Sequence, residues 1–124
     1  MNVLENLKYT NDHEWALIEG DVATVGITEY AAGELGDVVY VELPSIGDSA
    51  AKGDSIGTIE AVKTVADIYS PLSGEIIEVN DALTDNSELV NQDPFGKGWV
   101  VKLKLSDPAE VNELLSPEDY KKLI

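Results

Sequence analysis

Few side chains in this sequence could do chemistry, and the most conspicuous is Lys63 in the run "GTIEAVKTVADIYSPLSG", Gly57–Gly74. Apolar and β-branched residues surround it, Glu60 and Asp67 stand on either side, and no Gly, Pro or Asn announces a turn. An amine so placed is either a solubilising charge or a handle for a modifying enzyme. His13 is the single histidine, so a histidine metal cluster is impossible and a Ser-His-Asp triad would depend on one ring. With no cysteine, disulfides, thiolate metal sites and thiol nucleophiles are excluded, and redox chemistry must come from something attached.

Other constellations carry less. The segment "DALTDNSELVNQD", Asp81–Asp93, is rich in oxygen ligands but lacks the spaced acids, glycine and closing Glu of an EF-hand. It reads as a turn followed by a strand. "GKGW", Gly96–Trp99, has the wrong length for a phosphate loop and precedes a strand-like run. No metal site is expected. Trp15 and Trp99 read as core or cleft-wall aromatics.

Charge narrows the partners. There are 24 acidic residues against 8 basic ones, all lysine, for a net charge of -16 over 124 residues. Without a basic stripe to replace counterions on phosphates, nucleic acid is not a partner. The N-terminus lacks a basic region followed by an apolar run, and no stretch approaches ~18 apolar residues. The expectation is a cytoplasmic protein without membrane segments, a mature mitochondrial form being the alternative.

The elements that position these side chains are mostly short strands. Apolar and polar residues alternate in "EWALIEG", "VATVGI", "VVYVEL", "DSIGTIE", "TVADIYS", "GEIIEVN" and "WVVKLKL", separated by Gly, Asp, Asn, Ser and Pro. Thr28 caps a helix over "EYAAGEL" and Gly36 stops it. Asp107-Pro108 and Ser116-Pro117 open two C-terminal helices, "PAEVNELL" and "PEDYKKLI", with Pro where its missing N–H costs nothing. They read as a packing appendage, about 107–124, of a single domain spanning 1–124. "GDVVYVE" and "GEIIEVN" echo each other, which suggests two half-sheets related by an approximate two-fold axis.

The run Asp54–Ser70 exceeds the length of ordinary strands, about 3 to 10 residues. A helix would place Ile59, Val62, Ala66 and Tyr69 on one face, but Ile56, Thr58, Ile59, Val62, Thr64, Val65 and Ile68 favour strands. Two strands joined by a tight turn are therefore predicted, with Lys63 at the tip.

The pattern "GTIEAVKTVADIYSPLSGEIIEVN" resembles the attachment hairpin of the biotinyl/lipoyl carrier fold. Its details are similar to the glycine cleavage H-protein family, with further similarity in "LKYTNDHEWALIEGDVATVGITEYAAGELGDVVYVELPSIGD" and "LVNQDPFGKGWVVKLKL". Val62 and Thr64 stand where biotin carriers usually have methionine, which favours lipoate. The resemblance implies a mostly β, hybrid-barrel sandwich of two small antiparallel sheets, lipoyl-domain-like, with a short internal helix and C-terminal helices.

It also implies a carrier, not an enzyme, with (R)-lipoate joined to Lys63 by an amide. Glycine decarboxylase (P protein) would load an aminomethyl group onto the arm, and aminomethyltransferase (T protein) would pass the one-carbon unit on and release ammonia. Dihydrolipoamide dehydrogenase (L protein) would reoxidise the dithiol, and a lipoate ligase or a lipoyl/octanoyl transferase would attach the arm. In this family the loaded arm folds into a surface cleft, and Glu14 and Asp67 match its acidic or polar residues, with His13 and Asp12 close by. Glu60 matches a residue read during lipoylation. The alternatives are a lipoyl/octanoyl relay in protein lipoylation and an unmodified interaction module.

Overall fold

The computed structural model describes residues 2–124. Strands β1 (Lys8–Tyr9), β2 (Glu14–Glu19) and β3 (Val22–Ile27) lead into helix α1 (Glu29–Leu35). Then come β4 (Val38–Glu42), β5 (Ser49–Ala50), β6 (Ser55–Ala61), β7 (Val65–Tyr69) and β8 (Gly74–Val79). Helices α2 (Ala82–Asp85) and α3 (Leu89–Gln92), strand β9 (Val101–Leu105), a 3-10 helix (Pro108–Glu113) and α4 (Pro117–Leu123) complete the chain.

The strands form two antiparallel sheets, six-stranded in the order β1-β2-β3-β9-β8-β5 and three-stranded in the order β4-β6-β7. Alternation in the sequence gives each sheet one apolar face, and those faces meet. Val25, Val101, Leu103 and Ile76 from the larger sheet join Val41, Ile59 and Ile68 from the smaller in one core, closed by Leu72, Leu83 and Val90. Each such side chain contributes ~1.5–3 kcal/mol on full burial. The echoing segments β4 and β8 lie in different sheets. The echo stops with the strands, because β5 follows β4 while helices α2 and α3 follow β8.

A second cluster of Leu7, Tyr9, Trp15 and Tyr120 packs at one end. The Trp15 indole lies across Gly26, where a Cβ would stand 2.7–2.8 Å from ring atoms, and its Nε1–H donates to the Pro94 carbonyl at 3.0 Å. Only a glycine opposite Trp15 lets the ring lie this close to the backbone.

The caps follow the sequence. Thr28 Oγ1 accepts from Ala31 N, and Gly36, at φ 75, donates to the Ala32 carbonyl. Ser116 Oγ accepts from Asp119 N at the start of α4. Two expectations are corrected. Asp81–Asp93 holds α2 and α3 rather than a turn and a strand, with Leu83 and Val90 as their buried anchors. "PAEVNELL" is a 3-10 helix ending at Glu113, because Leu115 leaves it to exchange backbone hydrogen bonds with Tyr9.

Candidate functional site

Strands β6 and β7 form the predicted hairpin, with Glu60 opposite Val65, Ile59 opposite Ala66 and Thr58 opposite Asp67. Val62, Lys63 and Thr64 make the turn, all exposed. The Ala61 N–H donates to the Thr64 carbonyl at 2.8 Å, and the Val62 N–H donates to the Asp37 carbonyl at 3.0 Å. The second bond ties the tip to the chain entering β4, so the turn is held without Gly or Pro. Lys63 is in no ion pair among the described residues.

Beside the tip is a depression of about 530 Å³, lined by Leu35, Gly36, Asp37, Val62 and Lys63 among others. A second, of about 320 Å³, is lined by His13, Glu14, Ile27, Tyr30, Ile59 and Asp67 among others. Glu34 and Leu35 line both, so the two form one track from Lys63 to Glu14. Its lining mixes apolar Ile27, Leu35, Ile59 and Ala66 with the acidic residues Glu34, Asp12, Glu14 and Asp67.

Glu14 is only 2% exposed. Thr10 Oγ1 donates to its Oε1 at 2.6 Å, and the Tyr69 N–H donates to its Oε2 at 3.3 Å. Burial pushes its pKa up to about 7, the two hydrogen bonds opposing the shift. On its other side lies a third depression of about 180 Å³, which Thr10, Tyr69 and Lys52 also line, so Glu14 is a wall between two hollows. Asp67 is exposed and accepts from Ser55 Oγ at 3.2 Å.

His13 has φ 67, the only described non-glycine residue with a positive value. Its ring lies 4.7 Å from that of Tyr30, and Nδ1 stands 2.8 Å from the Tyr120 hydroxyl. That hydroxyl is also 2.7 Å from Thr28 Oγ1. Burial lowers the pKa of His13, with Asp12 and Glu34 acting the other way.

The structure thus brings Glu14, His13, Asp12 and Asp67 to one end of the track and Lys63 to the other. Glu60 is apart from it, exposed on the outward face of the small sheet. Sequence reasoning missed Glu34, Leu35, Tyr30, Thr28 and Tyr120 as parts of the site. The signal for the first four was the capped helix after β3, which must lie against whatever β2 and β6 present. Tyr120 had only its place as the one aromatic residue of the last helix.

Two antiparallel sheets that lift one lysine onto an exposed hairpin beside a cleft make this a lipoyl-domain-like fold. The family model described as glycine cleavage H-protein matches residues 7–124, and the chain belongs to that family. It is 52% identical over 124 residues to the glycine cleavage system H protein of Bacteroides thetaiotaomicron, covering 100% of this chain and 98% of the relative. It is 48% identical over 122 residues to that of Carboxydothermus hydrogenoformans, covering 98% and 94%. The crystal structure of a glycine cleavage system H protein from Mycobacterium marinum superposes with a TM-score of 0.88 at 39% identity, covering 96% of each chain.

The family is a lipoyl-carrying shuttle of the glycine cleavage system and not an enzyme in itself. Its members carry lipoate on a lysine and work with the enzymes of that system. No helix among the described residues is long and apolar enough to cross a membrane.

Proposed function

We propose that Lys63 is the lysine of this chain that carries (R)-lipoate. The observation that supports this reading is the exposed amine at the tip of a braced turn, opening onto a track that leads to Glu14. The track suits such a group: Leu35, Ile27, Ile59 and Ala66 offer apolar contact to an aliphatic chain, and carboxylates await a cation at the far end. Lipoate, once attached, supplies the dithiolane that accepts and hands on an aminomethyl group.

The residues of the chain shelter that cargo. Ionised Glu14 accepts a charge-assisted hydrogen bond from an ammonium group, and Thr10 and Tyr69 hold it in place. Asp67 and Asp12 add negative charge at the mouth, and Ile27, Tyr30 and Ile59 exclude water. The His13 ring forms part of the same wall. Glu60 serves earlier, as a residue read by the attaching enzyme, a lipoate ligase or a lipoyl/octanoyl transferase.

The partners proposed are glycine decarboxylase, aminomethyltransferase and dihydrolipoamide dehydrogenase. Carriage on a tether gives each a high effective concentration of the same group. The cytoplasm is the proposed location, since the similar proteins named above are bacterial.

Intact mass of protein purified from its own host tests the reading. A single lipoyl increment, lost in Lys63→Arg, is expected. An octanoyl increment alone would point to the relay, a biotinyl increment would overturn the choice of lipoate, and no increment would leave an interaction module. A glycine-dependent bicarbonate exchange assay with glycine decarboxylase then checks the shuttle role, which inactivity of the lipoylated protein would sink.

A further inference from the structure

The oxygen-rich segment Asp81–Asp93 folds as α2 and α3 and has no part in the site described so far. Val90, fully buried, anchors the single turn of α3 in the core. The next residue, half-buried Asn91, turns its amide to the connection between α1 and β4. Asn91 Oδ1 accepts from the Val38 N–H at 2.9 Å, and Nδ2 donates to the Gly36 carbonyl at 2.8 Å. One side chain thus takes both backbone groups that flank Asp37, as the backbone of a neighbouring strand does in a sheet. Ser87, in the same segment, adds a longer bond from its Oγ to the Val38 carbonyl at 3.4 Å.

The Asp37 carbonyl between them is left for the hairpin, and it accepts from the Val62 N–H at 3.0 Å. Val38 pairs with Ala61, so this bond continues the pairing of β4 with β6 by one rung and ends one residue short of Lys63. The chain before Asp37 matters equally. Gly36 is the C-cap of α1, and Glu34 and Leu35 just before it line both depressions of the track. The end of α1 and the tip of the hairpin therefore meet on one short stretch of backbone, Gly36–Val38. The Asn91 amide holds that stretch from behind without lining either depression.

We propose that Asn91 is a positioning residue for Lys63, fixing through Asp37 the direction in which the attached arm leaves the turn and the mouth of the track that receives it. The inference rests on the reading of Lys63 as the attachment site and of the track as the resting place of the loaded arm. A long flexible arm loses conformational freedom when it folds back, and a root already held in the required direction lowers that cost. The turn Val62–Thr64 has no Gly or Pro to stiffen it, so its rigidity must come from the bond to Asp37. Residues that hold a working group through a neighbour act in this way, by locking geometry rather than by touching the group.

The residue type fits the task. Gly36 offers an acceptor and Val38 a donor, and a side-chain amide supplies the matching donor and acceptor from one planar group. Aspartate at this position would keep the acceptor and lose the donor. Glutamine would add a methylene and carry the amide past Asp37, and an apolar residue would leave both backbone groups without their partner.

Asn91→Ala removes both bonds, and Ser73→Ala is its control. Ser73 Oγ accepts from the Lys52 N–H and donates to Glu110 Oε2, both at 2.9 Å, and this half-buried residue lines neither depression of the track. The two variants should lose similar thermal stability. Only Asn91→Ala should speed hydrogen exchange at the Val62 amide, about tenfold for the loss of two bonds. In the lipoylated full chain, loaded by glycine decarboxylase and glycine, the same variant should shorten the lifetime of the aminomethyl group, followed as loss of mass, by up to the same factor. Ser73→Ala should keep the wild-type lifetime. Asn91→Asp, with no hydrogen for the Gly36 carbonyl, should move both readouts in the direction of Asn91→Ala. Unchanged Val62 exchange in Asn91→Ala, or an arm lifetime equal in Asn91→Ala and Ser73→Ala, would overturn the inference and leave Lys63 in its role. A wild-type chain without a lipoyl increment would remove both.

Discussion

His13 and Tyr120 are joined across 107 positions of sequence, the imidazole Nδ1 lying 2.8 Å from the phenol oxygen. The same oxygen is 2.7 Å from Thr28 Oγ1, and the Tyr120 ring stacks on Tyr9 at 4.5 Å. The last helix therefore holds one wall of the cleft in place. His13, in a backbone conformation that favours glycine, needs that hold, since such positions persist only when their surroundings determine them.

Tyr120→Phe keeps the stacked ring and removes both hydroxyl contacts. The expected loss is about 1–3 kcal/mol for two hydrogen bonds, measured by urea unfolding. A purely structural role would stop there. In the role described, the tautomer and titration midpoint of His13, followed by nitrogen NMR, also change, and the aminomethyl-loaded arm hydrolyses faster.

Glu14 gives the fold a pH dependence of opposite sign to that of a salt-bridged acid. Its folded pKa stands at about 7, above the ordinary carboxylate range, so the folded state holds a proton that the unfolded state releases earlier. Stability therefore falls as pH rises from the ordinary carboxylate range to about 7, by at most ~1.4 kcal/mol per pH unit, and then levels off. Glu14→Gln should flatten this slope in unfolding curves taken between about pH 5 and pH 8. The same variant should shorten the lifetime of the loaded arm, because an amide offers no charge to an ammonium. A cation docked beside Glu14 should conversely lower the midpoint of its carboxyl carbon signal.

Gly26→Ala would place a methyl group within the Trp15 indole. The ring cannot shift without stretching its bond to the Pro94 carbonyl. Overpacking of this kind costs about 1–3 kcal/mol, and a change in tryptophan emission should accompany the lowered unfolding midpoint.

Ser116→Ala removes the cap of α4 and should cost about 1 kcal/mol. Lys121→Ala breaks the exposed pair with Glu5 and should cost less than about 1 kcal/mol. If the two variants prove equal in thermal melts, the cap does not anchor the helix that carries Tyr120.

Alternation and capping residues made the strands and α1 legible, because each signal acts over one element. The hairpin was legible through a limit on strand length and the density of β-branched residues around Lys63. Helices α2 and α3 were not, since a single turn of four residues has no periodicity to read, and Leu83 and Val90 each anchor one turn among oxygen-rich neighbours. Glu14 could be placed at the cleft by resemblance, but its burial could not be foreseen from a strand's first residue. The joining of His13 to Tyr120 is a tertiary contact, and nothing in the local sequence of either residue encodes it.

The hollow behind Glu14 separates two events that a simple pocket would couple. The donors that hold the carboxylate, Thr10 and Tyr69, line this rear hollow and not the cleft. A proton that reached Glu14 through the rear hollow would leave the front of the cleft covered. The charge state of the wall would then follow the surrounding solution without a moment of exposure for whatever the cleft encloses.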